Sequence, residues 1–296
     1  MRKFGPALLG LSLAVAGLTP AIAQDASSDA SSMPKVLHLT REFIKPGKNG
    51  SLHDKSETAF VQAAEHASYP NHYFAVNSMS GDSRALYVFG FDSFAAVQKD
   101  VETTAGNGTL AAAYDRAAVA DGELLSAIDD SYWVYNSEQS YKAHRDPGHL
   151  RFLEISAYYA KPGHDADWAE IVKMVQDTED KIGSSAHWAT YDLAYGGDGD
   201  VHLVLTGRHG LDEIDQGFAE GKKFDEAMGE DGMKKFQALI RDTIVRSTHQ
   251  LYAVNPRQSY PDEAWVKADP AFWRPKPMMV SAPAKNATVA QKHTTP

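Results

Sequence analysis

Val36-Leu37-His38-Leu39 leads to Lys45-Pro46-Gly47 and then to His72-Tyr73-Phe74. Phe152-Leu153-Glu154-Ile155 leads to Lys161-Pro162-Gly163 and then to His187-Trp188-Ala189. The two Lys-Pro-Gly turns lie 116 positions apart and the two histidines 115. An offset held over three landmarks marks a duplicated unit. Such a unit constrains architecture more than chemistry.

Local patterns fill in each copy. The opening segments alternate: Leu37 and Leu39, like Leu153 and Ile155, fall on one face, and His38 and Thr40, like Glu154 and Ser156, on the other. Pro-Gly ends each strand. A helix follows, with its stripe on Trp168, Ile171, Val172, Val175 and Ile182 in the second copy, and on Leu52, Ala59, Phe60 and Ala63 in the first. Hairpins follow, with strands 73–76 and 85–91 around Gly81-Asp82, and strands 188–193 and 201–206 around Gly196 to Asp200. A helical region comes next: Leu110 to Ile128 in the first copy, and a stripe of Met233, Phe236, Ile240 and Ile244 in the second. Closing strands at 132–135 and 250–254 lead into related endings. These are Asn136-Ser137-Glu138-Gln139-Ser140-Tyr141 and Asn255-Pro256-Arg257-Gln258-Ser259-Tyr260.

The order is β-α-β-β-α-β twice, the ferredoxin-like split βαβ unit, an α+β class. One such unit leaves a sheet face bare, and a tandem pair covers both by packing sheet to sheet. The repeats span residues 36–141 and 150–260, joined by a polar linker. Residues 24–35, rich in Ser, Ala and Asp, read as a disordered leader. In the tail, 261–296, Trp265, Phe272 and Trp273 are expected to pack back, with disorder after about residue 280.

Composition bounds the function. Met1-Arg2-Lys3, the apolar run from Ala7 to Leu18, and Ala21-Ile22-Ala23 form an export signal with cleavage before Gln24. The run is shorter than the ~20 residues a spanning helix needs. The expected product is therefore periplasmic or secreted, with no membrane association after cleavage. There are no cysteines, so disulfides and thiolate metal sites are excluded. The net charge is −10, with no basic cluster, which disfavours nucleic acid. A tandem pair builds its barrel within one chain, so a monomer is expected, with a dimer of such chains open.

The repeated strand, Lys-Pro-Gly, helix, strand, hairpin, helix, strand order over residues 36–260 resembles the dimeric α/β-barrel superfamily. That superfamily includes NIPSNAP-type and antibiotic-biosynthesis-monooxygenase-type domains. The resemblance implies two half-barrels joined in one chain. It also implies a range of activities: oxygenases, haem-handling proteins, and domains with no known activity. No catalytic signature transfers residue by residue, and fold alone selects no function.

Standard motifs for zinc proteases, serine hydrolases, phosphate loops and dinucleotide sites are absent. Gly196 to Asp200 reads as a hairpin turn, not a calcium loop. Candidate catalytic groups are His38, His72, Glu154 and His187. Imidazole and carboxylate on adjacent strands suit proton transfer, or binding of a divalent metal or haem iron. Hydrogen-bonded edge or surface residues are the alternative. Candidate ligand contacts are Tyr73, Tyr87, Trp133, Tyr158, Trp188, Tyr191 and His202, which would line an amphipathic pocket or simply fill the core between the sheets. No metal-ligand set is assigned, and the cofactor stays open. Three functions remain: an exported protein binding a small apolar or aromatic molecule or a partner chain, a cofactor-independent or haem-dependent enzyme resembling the monooxygenases, and a purely structural or envelope-scaffold role.

Overall fold

The computed structural model describes residues 32–275. The export signal and the tail beyond about residue 280 lie outside the described residues, as does the leader up to residue 31. The first repeat comprises β1 (Val36–Ile44), α1 (Ser51–Ala67), β2 (Tyr73–Ser78), β3 (Arg84–Phe91), α2 (Phe94–Gly106), α3 (Gly108–Gly122) and β4 (Leu125–Tyr141). The second comprises β5 (Phe152–Ala160), α4 (Asp165–Ile182), β6 (Trp188–Tyr195), β7 (Asp200–Arg208), α5 (Asp212–Thr243) and β8 (Ile244–Val254). Two short helices follow, α6 (Glu263–Ala268) and α7 (Pro270–Trp273). No helix among the described residues is long and apolar enough to cross a membrane.

Each repeat orders its strands as a ferredoxin-like sheet, β4-β1-β3-β2 and β8-β5-β7-β6. The two sheets join at both edges, β2 to β8 and β6 to β4, into a closed antiparallel barrel of eight strands. Closure removes every free sheet edge. The helices cover the outside.

Three expectations need correction. The buried stripe of α1 is His53, Glu57, Ala63 and Ala64, while Leu52 is half exposed and Ala59 is exposed. Counting apolar residues missed this phase because the buried face carries ionisable side chains. The region from Leu110 to Ile128 is not helical throughout: α3 stops at Gly122, and Ile128 lies on β4. Ile244 likewise opens β8 instead of closing the preceding helix. The closing strands are longer than expected: the added residues 125–131 and 244–249 pair within their own repeat, with β1 and β5, and 136–141 of β4 extend along β6. Each closing strand also pairs across to the other repeat, β4 with β6 and β8 with β2. Both long helical regions are broken midway, at Asn107 between α2 and α3, and at Gly229 (φ 75°, ψ 166°) in α5.

The repeated endings form a reciprocal clasp. Ser140 Oγ donates to the Asn136 carbonyl and accepts from Thr190 N–H of β6, at 2.7 and 2.9 Å. Ser259 Oγ donates to the Asn255 carbonyl and accepts from Ala75 N–H of β2, at 2.7 and 2.8 Å. Gln139 Oε1 accepts from Trp168 Nε1 of α4, and Gln258 Nε2 donates to His53 Nδ1 of α1. Each repeat thus ends on the first helix of the other. The tail then folds back, burying Trp265 and Trp273, with Trp273 Nε1 donating to the Gly148 carbonyl at 2.9 Å.

Two predictions follow from buried backbone constraints. Ser259→Ala leaves the Ala75 N–H without its partner, so chemical denaturation should show a loss of about 1–3 kcal/mol. At Gly196, φ is +92° and a Cβ would sit 2.2 Å from the Asp130 carbonyl oxygen of β4. Gly196→Ala should therefore cost about 2–4 kcal/mol in the same measurement. An unchanged denaturation midpoint in either variant contradicts the corresponding contact.

Candidate functional site

Strand alternation decides what enters the barrel. On β1, Leu37, Leu39, Arg41 and Phe43 point inward, and His38, Glu42 and Ile44 point toward the helices. On β5 the inward set includes Leu153, Ile155, Ala157 and Tyr159. The middle of the barrel is packed by side chains such as Leu39, Trp133, Ile155 and Leu203. That packing leaves a cavity at each end.

The first cavity, about 120 Å³, opens where β1, β2 and β6 begin. Its wall is mainly apolar, with Leu37, Phe74, Val88, Leu153, Tyr191 and Leu205. Its rim carries His72, His144, His187 and His209, with Arg145 and Asp146. Three segments cover it: Met33-Pro34, the linker from Ala143 to Pro147, and Trp265 of α6. Met33 and Pro34, assigned from the sequence to the leader, are thus part of the wall, and Pro34 O accepts from Tyr191 Oη at 3.0 Å. His187 Nε2 bonds the Gly207 carbonyl at 2.9 Å, and its ring lies 4.9 Å from that of His144. His72 packs 4.6 Å from the Tyr260 ring, and its Nδ1 is buried without a hydrogen-bond partner.

The second cavity, about 340 Å³, lies at the opposite end and is polar. Arg41, Arg84 and Arg246 project into it beside Phe43, Tyr159 and Asp198. Arg41 Nε donates to Asp129 at 3.0 Å, and one Arg84 terminal nitrogen donates to Asp82 at 3.2 Å. The Arg246 guanidinium lies 3.9 Å from the Tyr159 ring centre. Arg84 Nε is buried without a partner. Three guanidinium groups on an aromatic wall suit an anion.

The structure brings some of the sequence candidates together and separates others. His72, His187, Trp188 and Tyr191 line the first cavity. Trp133 borders the second, its Nε1 donating to Ser131 Oγ at 2.8 Å. The remaining candidates lie outside the barrel. His38 stacks on Tyr132 at 4.6 Å and bonds Asp130 at 2.8 Å, which holds that carboxyl below its usual range. Glu154 accepts from Arg208 Nε at 2.6 Å. Tyr73 and Tyr87 are buried under the first helix layer, which pushes both phenols up. Tyr158 packs on Trp168, and His202 stacks on the same indole at 4.6 Å while bonding Asp192 at 2.7 Å.

His144, His209 and the three arginines were not singled out from the sequence. The histidines sit in segments read as connections. Arg41 carried a usable signal, since it continues the inward face of Leu37 and Leu39.

No family model matches the chain, and no curated protein matches it in sequence. Solved structures do match it in fold. An anthrone oxidase-like protein superposes with a TM-score of 0.50 at 11% identity, covering 79% of this chain and 95% of its own. A protein of Fusobacterium nucleatum named as a monooxygenase gives 0.48 at 12%, covering 75% and 93%. Chlorite dismutase from Candidatus Nitrospira defluvii gives 0.44 at 9%, covering 80% and 96%. At these identities the likeness concerns the fold alone. The chain therefore has a dimeric α/β-barrel fold, with both halves of the barrel on one polypeptide.

Proposed function

We propose that this is an exported binding protein that takes a small, mainly apolar or aromatic molecule bearing a hydroxyl group into the histidine-rimmed cavity. One observation carries the reading. The two histidines that begin equivalent strands of the repeats, His72 and His187, line the same apolar cavity. His72 Nδ1 is buried with no partner. Such a nitrogen costs about 1–3 kcal/mol while it stays unsatisfied. A phenol-type hydroxyl entering from the cavity offsets that cost, and the apolar wall takes the ring. Export rests on residues 1–23 of the sequence.

The unpartnered His72 nitrogen also favours a second reading. In a monooxygenase-type relative, the same imidazole would accept the phenolic proton and prepare the ring for oxidation. Both readings place the ligand in one cavity and differ in whether it is consumed.

Trp188 and Trp265 line the cavity and report on its contents. Titration with phenols and naphthols should give saturable fluorescence quenching. His72→Ala should weaken hydroxyl-bearing ligands about tenfold and leave the parent hydrocarbons unchanged. Leu205→Trp, which fills the cavity, should abolish both. If no member of the series quenches saturably, the binding reading fails. Oxygen uptake with the same phenols selects the second reading. For export, the intact mass of the protein purified from the producing cell's exterior or periplasm should correspond to a chain beginning at Gln24.

A further inference from the structure

Outside the barrel, under α1 and α3, four ionisable side chains meet. Glu42 of β1, His53 and Glu57 of α1, and Asp121 of α3 are each 5% exposed or less. One ligating atom from each lies within 4.8 Å of the others. His53 Nε2 stands 2.9 Å from Glu42 Oε2, 3.7 Å from Asp121 Oδ1 and 3.9 Å from Glu57 Oε1. Glu57 Oε1 and Asp121 Oδ1 complete no hydrogen bond although both are buried. The hydroxyl of Tyr87, buried beside Glu42 and Glu57, likewise closes none of ordinary geometry. Burial pushes the Glu42 and Glu57 carboxyls up, so without a cation they resist ionising.

The second repeat shows that the fold does not require these groups. The C-caps of α1 and α4, Ser68 and Gly183, lie 115 positions apart. At that offset His53 corresponds to Trp168 and Glu57 to Val172. The β1-to-β5 offset of 116 matches Glu42 to Tyr158. The clasp agrees, since Gln258 reaches His53 where Gln139 reaches Trp168. Strand register places Val204 where the first repeat has Tyr87. The second repeat fills this place with an apolar cluster of Trp168, Ile171 and Val172, against Tyr158 and Ile240. Such packing is at least as stable as buried carboxylates without partners.

We propose that Glu42, His53, Glu57 and Asp121 form a binding site for one divalent first-row transition-metal ion. Bonds of about 2.1 Å put ligand atoms ~3 Å apart at right angles and ~4.2 Å apart when opposed. The separations from His53 Nε2 already fall in that range. Three carboxylates and one imidazole suit manganese, iron, cobalt or zinc better than magnesium or calcium, which favour oxygen alone. The carboxyls bind the ion as carboxylates, and on binding the His53 proton moves from Nε2 to Nδ1. Nδ1–H then needs an acceptor. Gln258 Oε1, buried and without a partner, provides it once the amide turns. The turned amide gives up its bond to Asp54, which keeps its bond from Asn255 Nδ2. Gln258 is thus a positioning residue of the site.

The test uses the full chain, stripped with chelator and dialysed against Mn²⁺ or Co²⁺, with metal analysis and the visible spectrum of bound Co²⁺. One ion per chain is expected, with a Co²⁺ spectrum of mixed nitrogen and oxygen ligation. Glu57→Gln and Asp121→Asn should each weaken binding more than about 100-fold, and Gln258→Leu about 10–100-fold. His149→Ala, at the exposed His149–Asp146 pair, should leave the ion content unchanged. The proposal is overturned if the wild-type chain retains no ion. It is equally overturned if a folded Glu57→Gln or Gln258→Leu variant binds as well as wild type, or if His149→Ala removes the ion. Should the carboxylate variants fail to fold, the wild-type stoichiometry and Gln258→Leu decide between these outcomes.

Discussion

The barrel depends on each repeat's last strand being long enough to pair twice. β4 pairs with β1 over 125–134 and with β6 over 132–141, and β8 pairs with β5 over 244–253 and with β2 over 252–254. A ferredoxin-like sheet by itself ends in two edges and one bare face. The crossing strands remove both edges and turn the two bare faces into one lumen. The endings then fix the crossing: a serine hydroxyl satisfies one backbone donor on the partner strand, and a glutamine reaches the partner helix. Duplication supplies this geometry without extra invention, because two related hexapeptides, alike in Asn, Gln, Ser and Tyr, serve both directions.

Much of this was legible in the sequence for a physical reason. Strand alternation, Pro-Gly turns and helix periodicity are local signals, and the repeat supplied two readings of each. The order of elements and the inward faces of β1 and β5 follow from them. What local patterns could not carry was the crossing. The residues from Leu125 and from Ile244 follow directly on helices and continue their apolar pattern, so both strands were read too short. The related endings at Asn136 and Asn255 were visible, but their meaning is a contact between residues over a hundred positions apart.

The candidate site was legible in a narrower sense. His72 and His187 stood out because duplication marked them, and they do border one cavity. His38 and Glu154 stood out on the same ground and lie on the other side of the sheet, His38 bonded to Asp130 and Glu154 to Arg208. Repetition identifies equivalent positions, and it cannot say which face of the sheet becomes the lumen. The buried His53 and Glu57 failed for the opposite reason. They occupy apolar-stripe positions on a helix, and a count of hydrophobic spacing reads such residues as surface.

β1 shows how one strand serves two chemistries. Leu37 borders the histidine cavity, Arg41 the arginine cavity, and Glu42, the next residue, faces the helix layer. Five residues of strand separate Leu37 from Glu42, roughly 17 Å at 3.3 Å per residue. A full sheet thickness also lies between the lumen and the ionisable cluster. A ligand in the histidine cavity and an ion under α1 would therefore share no atoms and no rim. The two halves reach this state unequally. The first sets three buried carboxylates and an imidazole beneath its helices, while the second keeps His202 against Trp168 in a layer that is otherwise apolar. The inner faces differ as well, Arg41 of β1 standing where β5 has Ala157.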